Sequence, residues 1–242
     1  MDTTVAKGMA VLELLARADG PLRLSAIAQR LELQKSNVHR LLGTLSKLGY
    51  VTQEAETGRY MPTLKLWELG VGVLHAHPAR RAAAPAMGEL HRATGETVSL
   101  TLLDGEEVLY LDKLLSPRPL RFTTRPGSRA PAWLTPSGKA MLAQLDDPAR
   151  SLENTRLRWP WARDLDLDGM LAELAQVRRQ GYAISEGDAS AGVIGIAAAI
   201  PAAGAPAAIT VSGPAERISA AKRSQIVEAV LHACARIAES AA

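Results

Sequence analysis

LSAIAQRLELQKSNVHRLLGTLSKLGY, from Leu24 to Tyr50, carries the clearest structural pattern in the chain. It divides into two helices and a tight turn. Ser25 is placed to cap the first helix with its hydroxyl, and Ala26, Ile27 and Leu31 give that helix an apolar face. Glu32-Leu33-Gln34 is the turn. The second helix starts near Lys35 and stops at Gly49, where glycine can take the left-handed conformation beyond a helix end. Val38, Leu41, Leu42, Leu45 and Leu48 recur at helical spacing and form one apolar stripe.

The residues off that stripe point to a use. Lys35, Ser36, Asn37, His39, Arg40, Gly43, Thr44 and Lys47 make the other face, with three basic residues and no acidic one between Gln34 and Tyr50. Short hydrogen-bonding side chains in a first turn can read base edges, while Arg and Lys take guanine or phosphate. Such a helix alone is as readily an ordinary amphipathic surface helix. The capped helix and short turn before it tip the reading to a helix-turn-helix. Ser36, Asn37 and Arg40 are expected nearest the bases; Ser25, Lys35, His39, Thr44 and Lys47 complete the DNA-binding set on the helix pair.

Working outward, Val5 to Ala18 reads as an amphipathic helix with Val5, Met9, Leu12 and Leu15 on one face, stopped by Asp19-Gly20-Pro21. After the helix pair, Val51–Gln53 and Arg59–Met61 flank a turn containing Thr57-Gly58, a short hairpin that makes the motif winged. Arg59 at its edge joins the DNA-binding candidates, against the alternative of a solvated arginine. Leu64 to His77 is apolar and periodic, too hydrophobic for a bare exposed linker. His75 and His77 do not share a helix face and have no acidic or cysteine partner nearby, so no metal is expected.

The second half changes composition. Helices are expected over Ala82–Ala93, Thr135 to about Leu145, Leu167–Gln180 and Ser219 to about Ser240. Strands are expected over Thr97–Leu103, Val108–Leu115, Leu120–Phe122, Tyr182–Ser185, Val193–Ile200 and Ala207–Ser212. Thr135-Pro136 is an N-cap followed by proline at the first helical position. Asp146-Asp147 and the Asp164/Asp166/Asp168 group stand at helix starts, where carboxylates complement the helix dipole rather than catalyse. Helices around antiparallel hairpins give an α+β domain. The boundaries expected are 1–63 for the winged helix-turn-helix, 64–78 for a helical linker and 79–242 for the α+β domain.

Composition sets the remaining bounds. At 242 residues and 47% hydrophobic the chain is an ordinary globular protein of one or two domains, and its formal charge of +3 confines DNA affinity to a local patch. The one cysteine, Cys234, permits no disulfide within the chain and reads as a small buried hydrophobe. No apolar run reaches the length of a membrane span, and no signal peptide opens the chain, so a cytoplasmic location is expected. No Gly-x-Ser-x-Gly, P-loop or dinucleotide fingerprint is present, so neither an enzyme nor a cofactor is expected.

Nearly the whole chain, block by block and in order, resembles the IclR family of bacterial transcriptional regulators. KGMAVLELLA (Lys7–Ala16), KSNVHRLLGTLSKLGYV (Lys35–Val51) and TGRYMPTLKLWELG (Thr57–Gly70) resemble its first helix, recognition helix and wing. ATGETVSLTLLDGEEVLYLDK (Ala93–Lys113), GSRAPAWLTPSGKAMLA (Gly127–Ala143), QGYAISEGD (Gln180–Asp188) and AAITVSGPAERIS (Ala207–Ser219) resemble its effector domain. Three departures stand out: Gln34 where proline is frequent, Trp133 where histidine is common, and Gly195 where cysteine is frequent. The resemblance implies a GAF-like sheet, dimers and tetramers, and a small organic acid as effector. It places ligand contacts at Phe122, Pro136, Ser137, Ser185, Val193, Gly195, Thr210 and Ser212.

From the residues themselves, the helix opening at Thr135-Pro136-Ser137-Gly138 offers free N–H groups to a carboxylate. Ser185, Thr210 and Ser212 are hydroxyls on apolar strands. Phe122 and Trp133 are aromatic rings near one loop, either plain core or a stacking surface for an aromatic carboxylate. The reading is a repressor of a catabolic operon that binds a palindromic operator as a dimer under control of a small organic acid. An activator of the same family and a metabolite-processing enzyme with an accessory basic helix are the alternatives.

Overall fold

The computed structural model describes residues 3–121, 124–188, 190–201 and 206–241. The chain forms two compact units, Met1–His75 and Ala76–Ala242.

In the first unit, α1 (Thr3–Arg17), α2 (Leu24–Arg30) and α3 (Lys35–Lys47) precede a two-stranded hairpin, β1 (Val51–Gln53) and β2 (Tyr60–Pro62). Val11, Leu15, Ile27, Val38 and Leu42 are sealed in its core with Val51 and Tyr60. β1 and β2 pair antiparallel with Thr52 opposite Met61. Ser25 does not cap α2: the N-cap is Arg23, without a side-chain hydrogen bond, and Ser25 lies inside the helix, exposed. The reason is tertiary. Leu22 exchanges two backbone hydrogen bonds with Tyr60, at 2.9 and 2.8 Å. That bridge fixes the extended residue before the helix and starts α2 too early for Ser25 to act. At the other end of the motif, Gly49 has φ 78°. Its N–H donates to Ser46 O at 3.0 Å while the Tyr50 N–H donates to Leu45 O at 2.9 Å. These are the two bonds of a Schellman ending, which need a left-handed residue at this position. Leu48, expected on the buried stripe, is the C-cap and 53% exposed.

α4 (Lys65–Ala76) follows, held at its start by Lys65, whose ammonium donates to Leu48 O at 2.8 Å and lies over the Tyr50 ring. None of its residues is buried, and Trp67, Leu69 and Val73 are exposed.

The second unit begins with α5 (Pro78–Thr94) and continues with β3 (Thr97–Asp104), β4 (Glu107–Leu114) and β5 (Arg129–Pro131). Then come α6 (Pro136–Leu142), α7 (Pro148–Arg158), α8 (Leu167–Gln180), β6 (Ala183–Glu186), β7 (Val193–Ile200), β8 (Ala207–Pro214) and α9 (Ala220–Ala241). The strands make one antiparallel sheet in the order β5-β4-β3-β8-β7-β6. Its two faces differ chemically, because side chains alternate along a strand. Val98, Leu100, Ile194, Ile196, Ile209 and Val211 face α5 and α9 and form the larger core. The opposite face, which α6 and α8 help to cover, carries Ala183, Ala197 and Ala208, and with them the hydroxyl residues Ser99, Thr101, Thr210 and Ser212.

Four expectations change here. α5 begins at Pro78 rather than Ala82, since proline at a first helical position loses no hydrogen bond, and it runs through Pro85. No strand forms at Leu120 and Arg121, and Phe122 lies outside the described residues. β5 takes the place beside β4 instead. α6 stops at Leu142, short of Leu145. α7 is additional, although its cap was legible: the Asp147 carboxylate accepts the Arg150 N–H at 3.1 Å, and Asp166 does the same for Gly169 at the head of α8, at 3.0 Å.

Candidate functional site

Two surfaces collect the residues singled out from the sequence. On α3, Lys35, Ser36, His39, Arg40, Thr44 and Lys47 are exposed and Asn37 is half-buried; Arg59 on the wing and Ser25 on α2 are exposed. Arg40 Nη2 donates to the Asn37 side-chain oxygen Oδ1 at 2.8 Å, one helical turn back, so the two side chains form a preassembled pair. The Thr44 hydroxyl donates to Arg40 O at 3.1 Å and is engaged with its own helix. A groove between α1 and α3 adds Thr4 and Lys7 beside Asn37, Arg40 and Thr44. Lys7 was not among the sequence candidates; its place on the polar side of the first helix was the signal available.

The second surface is a cavity on the hydroxyl-bearing face of the sheet. About 410 Å³ of free space, open solvent at its mouth included, is lined by Ser99, Tyr110, Thr135, Pro136, Ser137, Ser185, Ser190, Val193, Gly195, Thr210 and Ser212. The register explains the convergence. Ser185, Gly195, Ser212 and Thr97 lie side by side across β6, β7, β8 and β3, and Ala197, Thr210 and Ser99 make the adjacent row. Pro136, Ser137, Ser185, Val193, Gly195, Thr210 and Ser212, positions that the resemblance singled out, are thus brought together in one lining. Phe122 lies outside the described residues. Trp133 is not in the lining: its ring stacks at 5.9 Å from Trp161, against the core beneath α6. Ser99, Tyr110 and Ser190 were missed, while Thr135 belongs to the helix opening that the sequence offered to a carboxylate. Ser99 had a signal, because it sits at alternating positions with Thr97 and Thr101 in an otherwise apolar strand.

α6 enters this cavity by its first turn. The Thr135 hydroxyl accepts the Gly138 N–H at 3.0 Å and so caps the helix, while Pro136 fills the first position. A Cβ on Gly138 would stand 2.0 Å from the Ala132 carbonyl oxygen, so only glycine allows this approach. Gly195 acts in the same way: its absent side chain leaves room for the Pro136 ring, which a Cβ would meet at 2.7 Å. Thr210 Oγ1 is fully buried and has no hydrogen-bond partner. A buried hydroxyl without a partner is destabilising by roughly 1–3 kcal/mol until a ligand or water satisfies it. Burial also pushes the Tyr110 phenol above its ordinary pKa, so it enters the cavity neutral.

Three other ionisable groups of the second unit are held by partners within the fold. Lys139 on α6 is buried, yet hydrogen bonds to Asp188 and Glu173, each at 2.8 Å, raise its pKa above the ordinary value, which rules it out as a base at neutral pH. Burial would lift the Glu96 carboxyl, but hydrogen bonds from Arg217 and Lys222 outweigh it and hold the pKa low. The Cys234 thiol donates to Ala198 O and is pushed by burial up to about 12, the inert state expected of a buried cysteine. No group of three or more metal-ligating side chains exists among the described residues. No described helix is long and apolar enough to cross a membrane.

Comparison with known proteins agrees with this anatomy. Residues 4–55 match the model of the IclR helix-turn-helix domain, and residues 71–239 match that of the bacterial transcriptional regulator IclR C-terminal domain. The transcriptional regulator KdgR of Escherichia coli is 34% identical over 239 residues, covering 97% of this chain and 90% of that one. The crystal structure of an IclR family regulator from Brucella abortus superposes with a TM-score of 0.80 at 25% identity, over 99% of this chain and 93% of that one. An IclR homologue from Microbacterium hydrocarbonoxydans, solved with 4-hydroxybenzoate, shares the fold with a TM-score of 0.80 at 23% identity, over 99% of each chain. The residues from the recognition helix to the hydroxyl-lined sheet, and the two domain models that span them, make this chain a member of the IclR family of bacterial transcriptional regulators.

Proposed function

We propose that this regulator represses a catabolic operon in the cytoplasm. It reads a palindromic operator with α3 and releases it when a small organic acid fills the sheet cavity, residues 64–78 serving as the helical link between the two domains. The observation that carries the effector half is Thr210: a hydroxyl with no partner, buried in a cavity whose lining is mostly hydroxyl-bearing. An acid carboxylate accepts hydrogen bonds, so Ser137, Ser185, Thr210 and Ser212 suit it without a charged partner. α6 is too short for its dipole to add much, and the hydroxyls carry the binding. Ser36, Asn37 and Arg40 are the base-reading residues, with Lys35, His39, Lys47, Ser25 and Arg59 toward the backbone. Thr44, whose hydroxyl is spent on its own helix, contributes through its position at the groove.

The test is calorimetric titration of the full chain with aromatic and aliphatic hydroxy acids, 4-hydroxybenzoate among them, followed by a gel shift on the DNA upstream of its own gene. Ser137→Ala and Thr210→Val are each expected to weaken the binding acid by about 1 kcal/mol or more. Unchanged affinity in both variants moves the ligand elsewhere, and an acid that binds without altering the gel shift removes the control mechanism.

A further inference from the structure

The cavity itself contains no cation, but its rim does. Lys113 on β4 stands directly opposite Ser99 on β3, and Ser99 stands opposite Thr210 on β8. Residues opposite one another in antiparallel strands project to the same face, about 5 Å apart. Lys113 therefore continues the row that holds the two cavity hydroxyls. Arg121 lines a wider groove that adjoins the cavity, because Ser190 and Val193 border both. Arg125 closes the same loop against β4: its carbonyl accepts the Ser128 hydroxyl and N–H, and the neighbouring Gly127 N–H donates to Tyr110 O at 2.7 Å.

The three cations have no acidic partner in an ion pair among the described residues. Asp112, next to Lys113 in sequence, points to the opposite face of the strand and holds Arg80 at 2.8 Å. Asp188 is spent on Lys139, and Glu186 on Arg223. Glu216 is the one carboxylate on the adjoining groove. Burial, together with the charges of Arg121 and Arg125, holds the Lys113 ammonium below its ordinary pKa. Like charges gathered without a counter-charge repel, and an arriving anion relieves that repulsion.

We infer that the effector is at least a dianion: its hydroxylated or carboxylate end is held by Ser99, Ser137 and Thr210, and a second anionic group, a carboxylate or a phosphate, is received at the cavity rim by Lys113 and Arg121, with Arg125 on the loop beside them. The inference rests on the cavity being the effector site. It narrows the ligand class from small acids in general to dicarboxylates and phosphorylated hydroxy acids.

Matched pairs of probes test it on the full chain by thermal shift and calorimetry: benzoate against phthalate, glycerate against 3-phosphoglycerate, gluconate against 6-phosphogluconate. A ligand that binds the native state raises the melting temperature. The dianion of at least one pair is expected to bind ten times more tightly than its monoanion. That advantage should vanish in Lys113→Met and in Arg125→Gln, the second variant guarding against a fold defect in the first. Preference for phthalate identifies a carboxylate at the rim; preference for a phosphate ester identifies a phosphate. Monoanions binding as well as dianions, with Lys113→Met unaffected and Ser137→Ala impaired, overturns the inference and leaves the cavity as effector site. Failure of every dianion to bind overturns it as well, and binding unaffected by Ser137→Ala and Thr210→Val removes the cavity reading with it.

Discussion

A single methyl group separates a folded α6 from a displaced one. Gly138 meets the backbone of Ala132 so closely that a Cβ there has carbonyl oxygen and carbon within 2.5 Å, and backbone cannot swing aside as a side chain can. Gly138→Ala is therefore expected to lose about 2 kcal/mol or more of stability by overpacking, read as a drop in melting temperature, and to weaken effector binding with it, since Ser137 moves with the helix. Gly195 is the gentler case. A Cβ there meets the Pro136 ring rather than backbone, so Gly195→Ala should reshape the cavity with less loss of stability. Measuring melting temperature and effector affinity on both variants separates the two: stability falls chiefly in the first, ligand choice shifts chiefly in the second.

Elements divide the labour between reading and assembling. α3 exposes Arg40, already hydrogen-bonded to Asn37, so little side-chain freedom is left to lose on meeting a base pair. Arg40→Ala is expected to weaken operator binding by roughly 1–3 kcal/mol and to relax specificity. Lys47→Ala, on the same helix but toward its end, should weaken all sequences alike and flatten the dependence on salt, both measured by gel-shift titration at several salt concentrations. A palindrome needs two such helices about 34 Å apart, one turn of DNA. Each chain has one recognition helix, and α1 and α4 leave apolar side chains in water: Val5, Met9, Trp67 and Val73 are all more than half exposed. Faces of this kind mark association surfaces. Trp67→Glu with Val73→Glu is expected to reduce the mass by light scattering to that of a monomer and to abolish tight operator binding. A wild-type chain that is already monomeric with and without DNA would remove α4 from the argument.

At the scale of the whole molecule, one buried carboxylate ties distant parts of the second unit together. Glu96, at the start of the sheet, is fully buried and meets Arg118 at 2.7 Å, Lys222 at 3.0 Å and Arg217 at 2.5 Å. Gly213 makes room for it, because a Cβ there would touch its carboxylate at 2.6 Å. Removing one side of a buried pair is strongly destabilising, so Glu96→Gln is expected to lose about 3 kcal/mol at neutral pH. The folded-state pKa of Glu96 is depressed below 4.5. Its contribution is thus fully present above the unfolded value and is lost as pH falls through the folded one. Denaturation curves of wild type and Glu96→Gln should accordingly converge as pH falls through the depressed folded-state pKa; a gap that persists once the carboxyl is protonated in both the folded and the unfolded state would show that the contribution of Glu96 does not depend on its charge.

Local rules carried much of the molecule. The helical period of Val38, Leu42 and Leu45, the glycines at 49 and 181, and the Thr135-Pro136 cap each work through neighbours a few residues away, so α3, the end of α8 and the start of α6 were readable along the chain. Alternation in Val98–Leu102 and Ala207–Val211 likewise determined strands with one apolar and one hydroxyl face. Long-range contacts decided the rest. Leu22 is held extended by Tyr60, which moved the start of α2 off Ser25. The edge of the sheet went to Arg129–Pro131, which pairs with Glu107–Leu109 across the loop that follows β4. Ser99, Tyr110 and Ser190 reached the cavity, and Trp133 went to Trp161, by strand register and helix packing between residues far apart in the chain. No window of sequence contains that geometry, because register is fixed only when whole faces are buried together.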